Sequence, residues 1–375
     1  MRIRAKRSEL LNELSYIIPI VEKSAKSAKM PILSHILVRA DGPGKPILLA
    51  GSDMDLCVTT TCAAEVDEPG GLAVPAREFS DIIRLMPEKT DISIVKDVQD
   101  RIVIQSGKAK FKLVFLPDET FPEIPEMKGA PIQIPADILR KMLQMTVFST
   151  SFQEQARFTL NGVLIVINRN YIKMVSTDGH RMSYVETTKH FETIENEIKI
   201  ILPKKTVGEL LKLLQGSKAE VTFTHDENRL FFRFENKFLV SRMLAGQFPN
   251  FDMVIPRNLV SHIKLDVGAL KEAILRANIL TDVESKRVLF RLEKDSLILR
   301  SENQSRGEAE EDISVSYQGD PTELGFNSQY LLEFLNVLEV PEVSFDFTGP
   351  QSPSLFRPVN ELDFTYKYVV MPMSM

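Results

Sequence analysis

The sequence predicts an α+β protein built from three repeated domains, each with two helices and several strands. Three observations predict it. Lys110–Pro122 (KFKLVFLPDETFP) and Lys237–Pro249 (KFLVSRMLAGQFP) both open on Lys-Phe, continue through apolar residues and close on Phe-Pro, 127 residues apart. A truncated third copy, Lys367–Met373, starts 130 residues after the second. Two sets of landmarks keep nearly the same interval: Leu33, Leu160 and Leu289 near a first strand, and Pro75, Pro203 and Asn327 at a second helix. A period of this size belongs to a small domain and exceeds any solenoid unit. The expected domains are residues 1–127, 128–256 and 257–375.

The first domain opens on a helical stripe, Leu10, Leu11, Leu14, Ile17, Ile18 and Val21. After the Lys- and Ser-rich loop 23–29, a strand follows at 31–38 and a turn at Asp41-Gly-Pro-Gly. Further strands are expected at 46–51 and 55–66, with Gly70-Gly71 as a break. Pro75 then begins a helix that buries Phe79, Ile82, Ile83 and Met86, since proline costs nothing in a first helical turn. Strands at 91–95 and 101–105 precede the Lys110 segment, and a proline-rich linker follows it.

The second domain repeats the order. A helix starts at Pro135, a strand at Leu160–Val166, and strands 171–176 and 181–187 flank Asp178-Gly179. A second helix from Pro203 carries Val207, Leu210, Leu211 and Leu214 on one side, and strands 219–224 and 229–234 follow. The third domain offers helix 267–278, strands 287–292 and 296–301, an acidic run Glu308–Asp312 and strand 313–317. Helix Ser328–Leu338, capped by Asn327, and strands 342–347, 354–357 and 362–370 complete it.

Charged residues at 26% and hydrophobic ones at 43% describe an ordinary globular chain with no membrane partner. Asn12 and Glu13 interrupt the run behind the basic N-terminus, which excludes a signal-peptide core. Cys57 and Cys62 fall on opposite faces of a strand, so neither a disulfide nor a metal pair is expected, and a reducing cytoplasm fits. The five histidines lack metal-ligand spacing, and neither a phosphate-cradling glycine loop nor a G-x-S-x-G elbow occurs. No metal, cofactor or enzymatic activity is therefore expected. Asp178 and His180 beside Thr177 could form a hydrolytic dyad, but Asp-Gly here reads more naturally as a hairpin turn.

Net charge is −5, which argues against nucleic acid unless opposite charges are segregated. The helices carry cations opposite their buried stripes: Arg77 and Arg84, Arg140 and Lys141, Lys204, Lys205 and Lys212, Lys271 and Arg276. These are either a common basic surface or ordinary solvated faces, diluted by Asp81, Glu209, Glu272 and Glu333.

Four segments resemble the bacterial DNA polymerase III beta subunit family of sliding clamps. They are Thr177-Asp-Gly-His-Arg-Met, Arg157-Phe-Thr-Leu-Asn-Gly, Gln247-Phe-Pro-Asn-Phe and Tyr368-Val-Val-Met-Pro-Met. Met30-Pro-Ile-Leu, Asp53-Met-Asp-Leu and Val74-Pro-Ala-Arg fit the family too, so the likeness runs from end to end. It implies the DNA clamp fold and a head-to-tail homodimer, a six-domain ring around double-stranded DNA held without sequence preference. It also implies that the ring tethers the replicative DNA polymerase, the clamp loader and other clamp-binding-motif proteins, conferring processivity. Implied DNA-facing residues are Arg77, Arg84, Arg140, Lys141, Arg157, Lys204, Lys205 and Lys271. The implied peptide cleft takes Leu160, Thr177, Gly179, His180, Arg181 and Met182 from one domain, with Pro249 and Val254. Asn327, Tyr330, Val369, Val370, Met371, Pro372 and Met373 complete its lining, an apolar, Met-rich groove able to adapt to several clients. Phe111 and Leu113 are expected to meet Ile279 and Leu280 of a second copy. Met182, Met253, Phe158-Thr159 and Ser374-Met375 depart from the family pattern. A peptide-binding adaptor that never encircles DNA and a hydrolase using Asp178 and His180 are the competing readings.

Overall fold

In the computed structural model each α-helix among the described residues is fed directly by a strand, with no loop between them. The structure describes residues 1–23, 30–97, 101–151, 158–188, 194, 196–359 and 363–374. The first repeat runs β1 (Arg2–Lys6), α1 (Arg7–Ile17), β2 (His35–Ala40), β3 (Ile47–Ser52), β4 (Leu56–Cys62), β5 (Glu65–Glu68), β6 (Gly70–Pro75), α2 (Ala76–Leu85), β7 (Asp91–Lys96), β8 (Arg101–Ser106) and β9 (Ala109–Val114). The second runs β10 (Ile132–Pro135), α3 (Ala136–Val147), β11 (Gly162–Ile167), β12 (Ile172–Thr177), β13 (Arg181–Thr187), β14 (Ile198–Pro203), α4 (Lys204–Leu213), β15 (Glu220–His225), β16 (Arg229–Phe234) and β17 (Lys237–Arg242). The third runs β18 (Ser261–Asp266), α5 (Val267–Ala277), β19 (Arg287–Glu293), β20 (Ser296–Asn303), β21 (Gly307–Ser314), β22 (Thr322–Asn327), α6 (Ser328–Asn336), β23 (Glu342–Phe347), β24 (Ser354–Pro358) and β25 (Thr365–Val370). Apart from the extra β5, all three repeats share one order of elements.

The helical stripes form, though α1 ends at Ile17 and leaves Ile18 and Val21 beyond it, and the strands feeding the helices correct the sequence reading. The sequence pattern predicts none of β1, β6, β10, β14, β18 and β22. Gly70-Gly71 opens β6 instead of breaking a strand, and the expected strand 55–66 divides into β4 and β5. Pro75, Pro135 and Pro203 end their strands instead of starting the helices. β6, β10 and β14 are each the outermost strand of a sheet, where a missing N–H leaves no ladder bond unmade. The acidic run Glu308–Asp312 is likewise not a prelude to a strand but most of β21 itself. α5 and α6 are capped by side chains: Asp266 accepts from the Ala269 amide at 2.7 Å, and Asn327 from the Gln329 amide at 2.9 Å.

The described residues pack as two compact units whose limits follow the sheets, not the repeats. One comprises Met1–Asp137 and Glu209–Met243. It holds a five-stranded sheet, β5-β1-β7-β8-β9, and an eight-stranded sheet, β10-β15-β16-β17-β4-β3-β2-β6, all antiparallel. Leu10, Leu14, Phe79 and Ile83 of α1 and α2 join Ile3, Ile94 and Ile104 of the first sheet to Val38, Leu49 and Val74 of the second in one core. The other unit comprises Ile138–Gly208 and Leu244–Met375. It holds an eight-stranded sheet, β14-β11-β12-β13-β25-β24-β23-β18, and a four-stranded sheet, β21-β20-β19-β22. Its core is aromatic, with Phe334 stacked on Tyr368 at 4.5 Å and Phe345 on Phe356 at 4.6 Å.

The repeated Lys segment explains why sheets cross repeat boundaries. Its second copy, β17, pairs with β4, placing Lys237 opposite Thr60. Its third copy, β25, pairs with β13, placing Lys367 opposite Tyr184. Among the described residues the first copy, β9, pairs with β8 alone and forms a sheet edge.

Candidate functional site

The turn between β12 and β13 is fixed by its own side chains. Asp178 Oδ1 accepts from the amides of His180 and Arg181, both at 3.0 Å, and Gly179 supplies the positive φ of 92° that the reversal needs. Asp178 Oδ2 accepts from Arg181 Nε at 3.0 Å. Both carboxylate oxygens are thus engaged in holding the turn, which disfavours a hydrolytic dyad of Asp178 with His180.

This turn leads into the ladder between β13 and β25, where Arg181 faces Val370 and Met182 faces Val369. Past β25 the chain passes from one sheet to another: the Met371 amide donates to His180 O at 2.9 Å beside β13, and the Met373 amide to Gly325 O of β22 at 2.8 Å. Met182 and Val369 are buried in a cluster with Leu164, Val175 and Leu355, against which Phe248, Phe251 and Ile255 pack. Met371 and Val254 stay 39% and 41% exposed, so an apolar floor carries accessible apolar edges. Pro249, Pro372 and Met373 are half-buried, and Leu160 is buried at the end of a 3₁₀ turn.

Arg181 anchors the polar end. It is 3% exposed, yet its guanidinium meets Glu333 Oε2 at 2.5 Å, donates to Phe148 O at 2.6 Å, and lies 4.1 Å from the Tyr330 ring centroid. Burial works against its charge, but Tyr368 and Glu333 outweigh that and raise its pKa. Tyr330 is further located by its own backbone oxygen, which accepts from Tyr368 Oη at 2.8 Å, and Asn327 caps the helix that carries it.

Lys204 departs from its expected role. Its Nζ is enclosed beside Glu333, Arg181 and Asp178 instead of projecting from α4. Burial, foremost, and the Arg181 charge pull it down to about 8, against the upward pull of Glu333 and Asp178. Residue type alone does not reveal that Lys204, Glu333, Phe148 and Tyr368 gather around Arg181, because they come from four separate elements, α4, α6, the segment after α3, and β25.

Among the other cations singled out, Arg77 and Lys205 are exposed and Lys271 is half-exposed. Arg84 is exposed beside Asp81 at 3.3 Å, Arg140 donates to Gln144 at 3.3 Å, and Lys141 pairs with Glu339. Arg157 lies outside the described residues. Phe111 on β9 is 42% exposed, while Leu113 packs partly against the core. Ile279, 69% exposed, and Leu280 occupy a 3₁₀ turn after α5 that touches β20 and β21. Cys57 and Cys62 are buried thiols, each pushed up to about 12 chiefly by burial. Among the described residues no group of three or more His, Cys, Asp or Glu could hold a metal ion, and no helix is long and apolar enough to cross a membrane.

Comparison with known proteins finds matches along the whole chain. Profiles of the DNA polymerase III beta subunit N-terminal, central and C-terminal domains match residues 1–125, 133–250 and 252–374. The beta sliding clamps of Haemophilus influenzae and Caulobacter vibrioides are each 30% identical, with the whole of both chains aligned. The DNA polymerase III subunit beta of Pseudomonas aeruginosa superposes with a TM-score of 0.91 at 28% identity, and a sliding clamp from Bartonella birtlesii with 0.93 at 29%. Both structural alignments cover all of each chain. The chain therefore belongs to the DNA polymerase III beta subunit family, the beta sliding clamps.

Proposed function

We propose that two copies of this chain close head to tail around duplex DNA and carry polymerase and other client proteins on the cleft of Met182, Val369 and Met371. The chain acts as a tether, and its residues perform no bond chemistry. Its expected setting is the cytoplasm, where chromosomal DNA is replicated.

One observation carries the ring. Two copies of the repeated strand bond to a neighbouring repeat, but β9 ends its sheet and so does β21. The edges suit one another in charge. β9 bears Lys110 and Lys112, the latter near Asp97, whereas β21 bears Glu310 and Asp312 besides Glu308 and Glu311, which already meet Arg300 and Arg276. Pairing β9 of one copy with β21 of the next would repeat the β17–β4 and β25–β13 arrangement, add backbone bonds, and bring Phe111 toward Ile279 and Leu280. In the proposed ring such a joint would close after two copies. Arg77, Arg84, Arg140, Lys205 and Lys271 are the helix cations proposed to face phosphates, and proposed domains 1–127, 128–256 and 257–375 would make six around the hole.

Replacing Ile279 and Leu280 together by glutamate should yield a folded monomer that still binds client peptides but is not retained on closed circular DNA. Light scattering at sub-micromolar concentration checks the first part, and gel filtration with circular against linear DNA the second. A variant that stays dimeric would place the joint elsewhere.

A further inference from the structure

Beyond the cleft, the same sheet face carries a groove of about 480 Å³ that the family assignment does not explain. Leu355 pairs with Val369, a cleft residue, across the β24–β25 ladder. Residues two apart on a strand share a face, so Arg357 lies beyond Leu355 and Lys367 beyond Val369 on that side. The segment after β17 forms the opposite wall: Val254 belongs to the cleft, and Ile255, Arg257 and Leu259 line the groove. Cleft and groove are therefore continuous.

The groove has an apolar floor and a cationic rim. Arg357 is fixed by Asp346, which is fully buried and accepts from its Nη2 at 2.5 Å and its Nε at 2.9 Å. The other Asp346 oxygen faces His262 Nδ1 at 2.9 Å and accepts from Ser344 Oγ at 2.5 Å. Asp346 is thereby committed to holding the wall. Lys367 Nζ stands 5.1 Å from the Tyr184 ring centroid, and Arg257 is exposed. Against these cations the groove offers one exposed carboxylate, Asp252.

We propose that this groove receives acidic residues flanking the apolar anchor of a client peptide seated in the cleft. The proposal rests on the cleft reading and adds a specificity element to it. An extended peptide advances about 3.3 Å per residue, so a few residues beyond the anchor reach past Val369 toward Lys367 and Arg257. Surface charges of this kind discriminate modestly and are weakened by salt.

The test uses three peptides with one apolar anchor: one with neutral flanks, one acidic on the N-terminal side and one acidic on the C-terminal side. Fluorescence anisotropy follows their binding to the full chain and to an Arg257→Gln, Lys367→Gln double variant. Arg357 is left intact because its loss would strand the buried Asp346 charge. One acidic peptide should bind the native chain about five-fold tighter than the neutral peptide at low salt. That advantage should vanish at high salt and in the double variant, which should bind the neutral peptide as the native chain does. Equal affinity of all three peptides for the native chain, or an advantage that survives in the double variant, overturns the proposal. So does an equal loss of neutral-peptide binding in the variant, which would mark Arg257 and Lys367 as structural. Failure of every peptide to bind the native chain overturns the cleft reading and takes the groove with it.

Discussion

Lys204 and Lys205 are chain neighbours with opposite fates. Lys205 is exposed, whereas the Lys204 ammonium is enclosed against Glu333 and Arg181 and lowered to about 8 from the ordinary 10.5. Because the folded value lies below the unfolded one, the unfolded chain binds a proton between these limits that the folded chain has released. Stability from this group therefore rises with pH through that window. In urea titrations the native chain should gain on a Lys204→Met variant between about pH 8 and 10.5, and a constant difference would contradict the enclosure. For DNA, Lys205→Gln should reduce the slope of log affinity against log salt by about one, while Lys204→Gln should leave it unchanged. An equal effect of both would show that Lys204 swings out to the phosphates. The sequence could place both lysines opposite the stripe of Val207 and Leu210, but not separate them. Lys204 sits at the first helical position, where the strand before it sets the side-chain direction.

At the scale of elements, long periodic segments were legible and short abrupt ones were not. α2 buries Phe79 and Ile83 as its three- and four-residue spacing requires, because amphipathic periodicity survives any detail of the ends. β10 has four residues and ends in proline, β6 starts with two glycines, and β21 carries four carboxylates, so local propensity opposes each. Tertiary position overrides it: these strands lie at sheet edges, where proline and charge are tolerated. The residues of the proposed cleft could be named through resemblance, because its turn and C-terminal strand are contiguous motifs; the groove, assembled from Arg257, Arg357 and Lys367, could not. The tail Met371–Met375 tests the cleft as an element. Its removal deletes the bonds to His180 and Gly325 along with an exposed apolar edge. Client-peptide affinity should fall at least ten-fold, about 1.4 kcal/mol, with the dimer intact. Unchanged affinity in a calorimetric titration would remove this edge from the site.

Over the whole molecule, the repeat makes three ladders chemically alike but not equally protected. β17 is covalently tied to the sheet containing β4, and β25 to that containing β13, so each ladder re-forms within one molecule after opening. A short tether holds its ends at an effective concentration on the order of millimolar. The proposed β9–β21 ladder has no tether, and its re-formation depends on the concentration of chains in solution. At roughly nanomolar chain, that is a deficit of about a million-fold, or about 8 kcal/mol, against otherwise similar strand pairing. Mass action alone would then select where the ring parts, with dilution acting as a release signal at the two seams between copies and nowhere inside a chain.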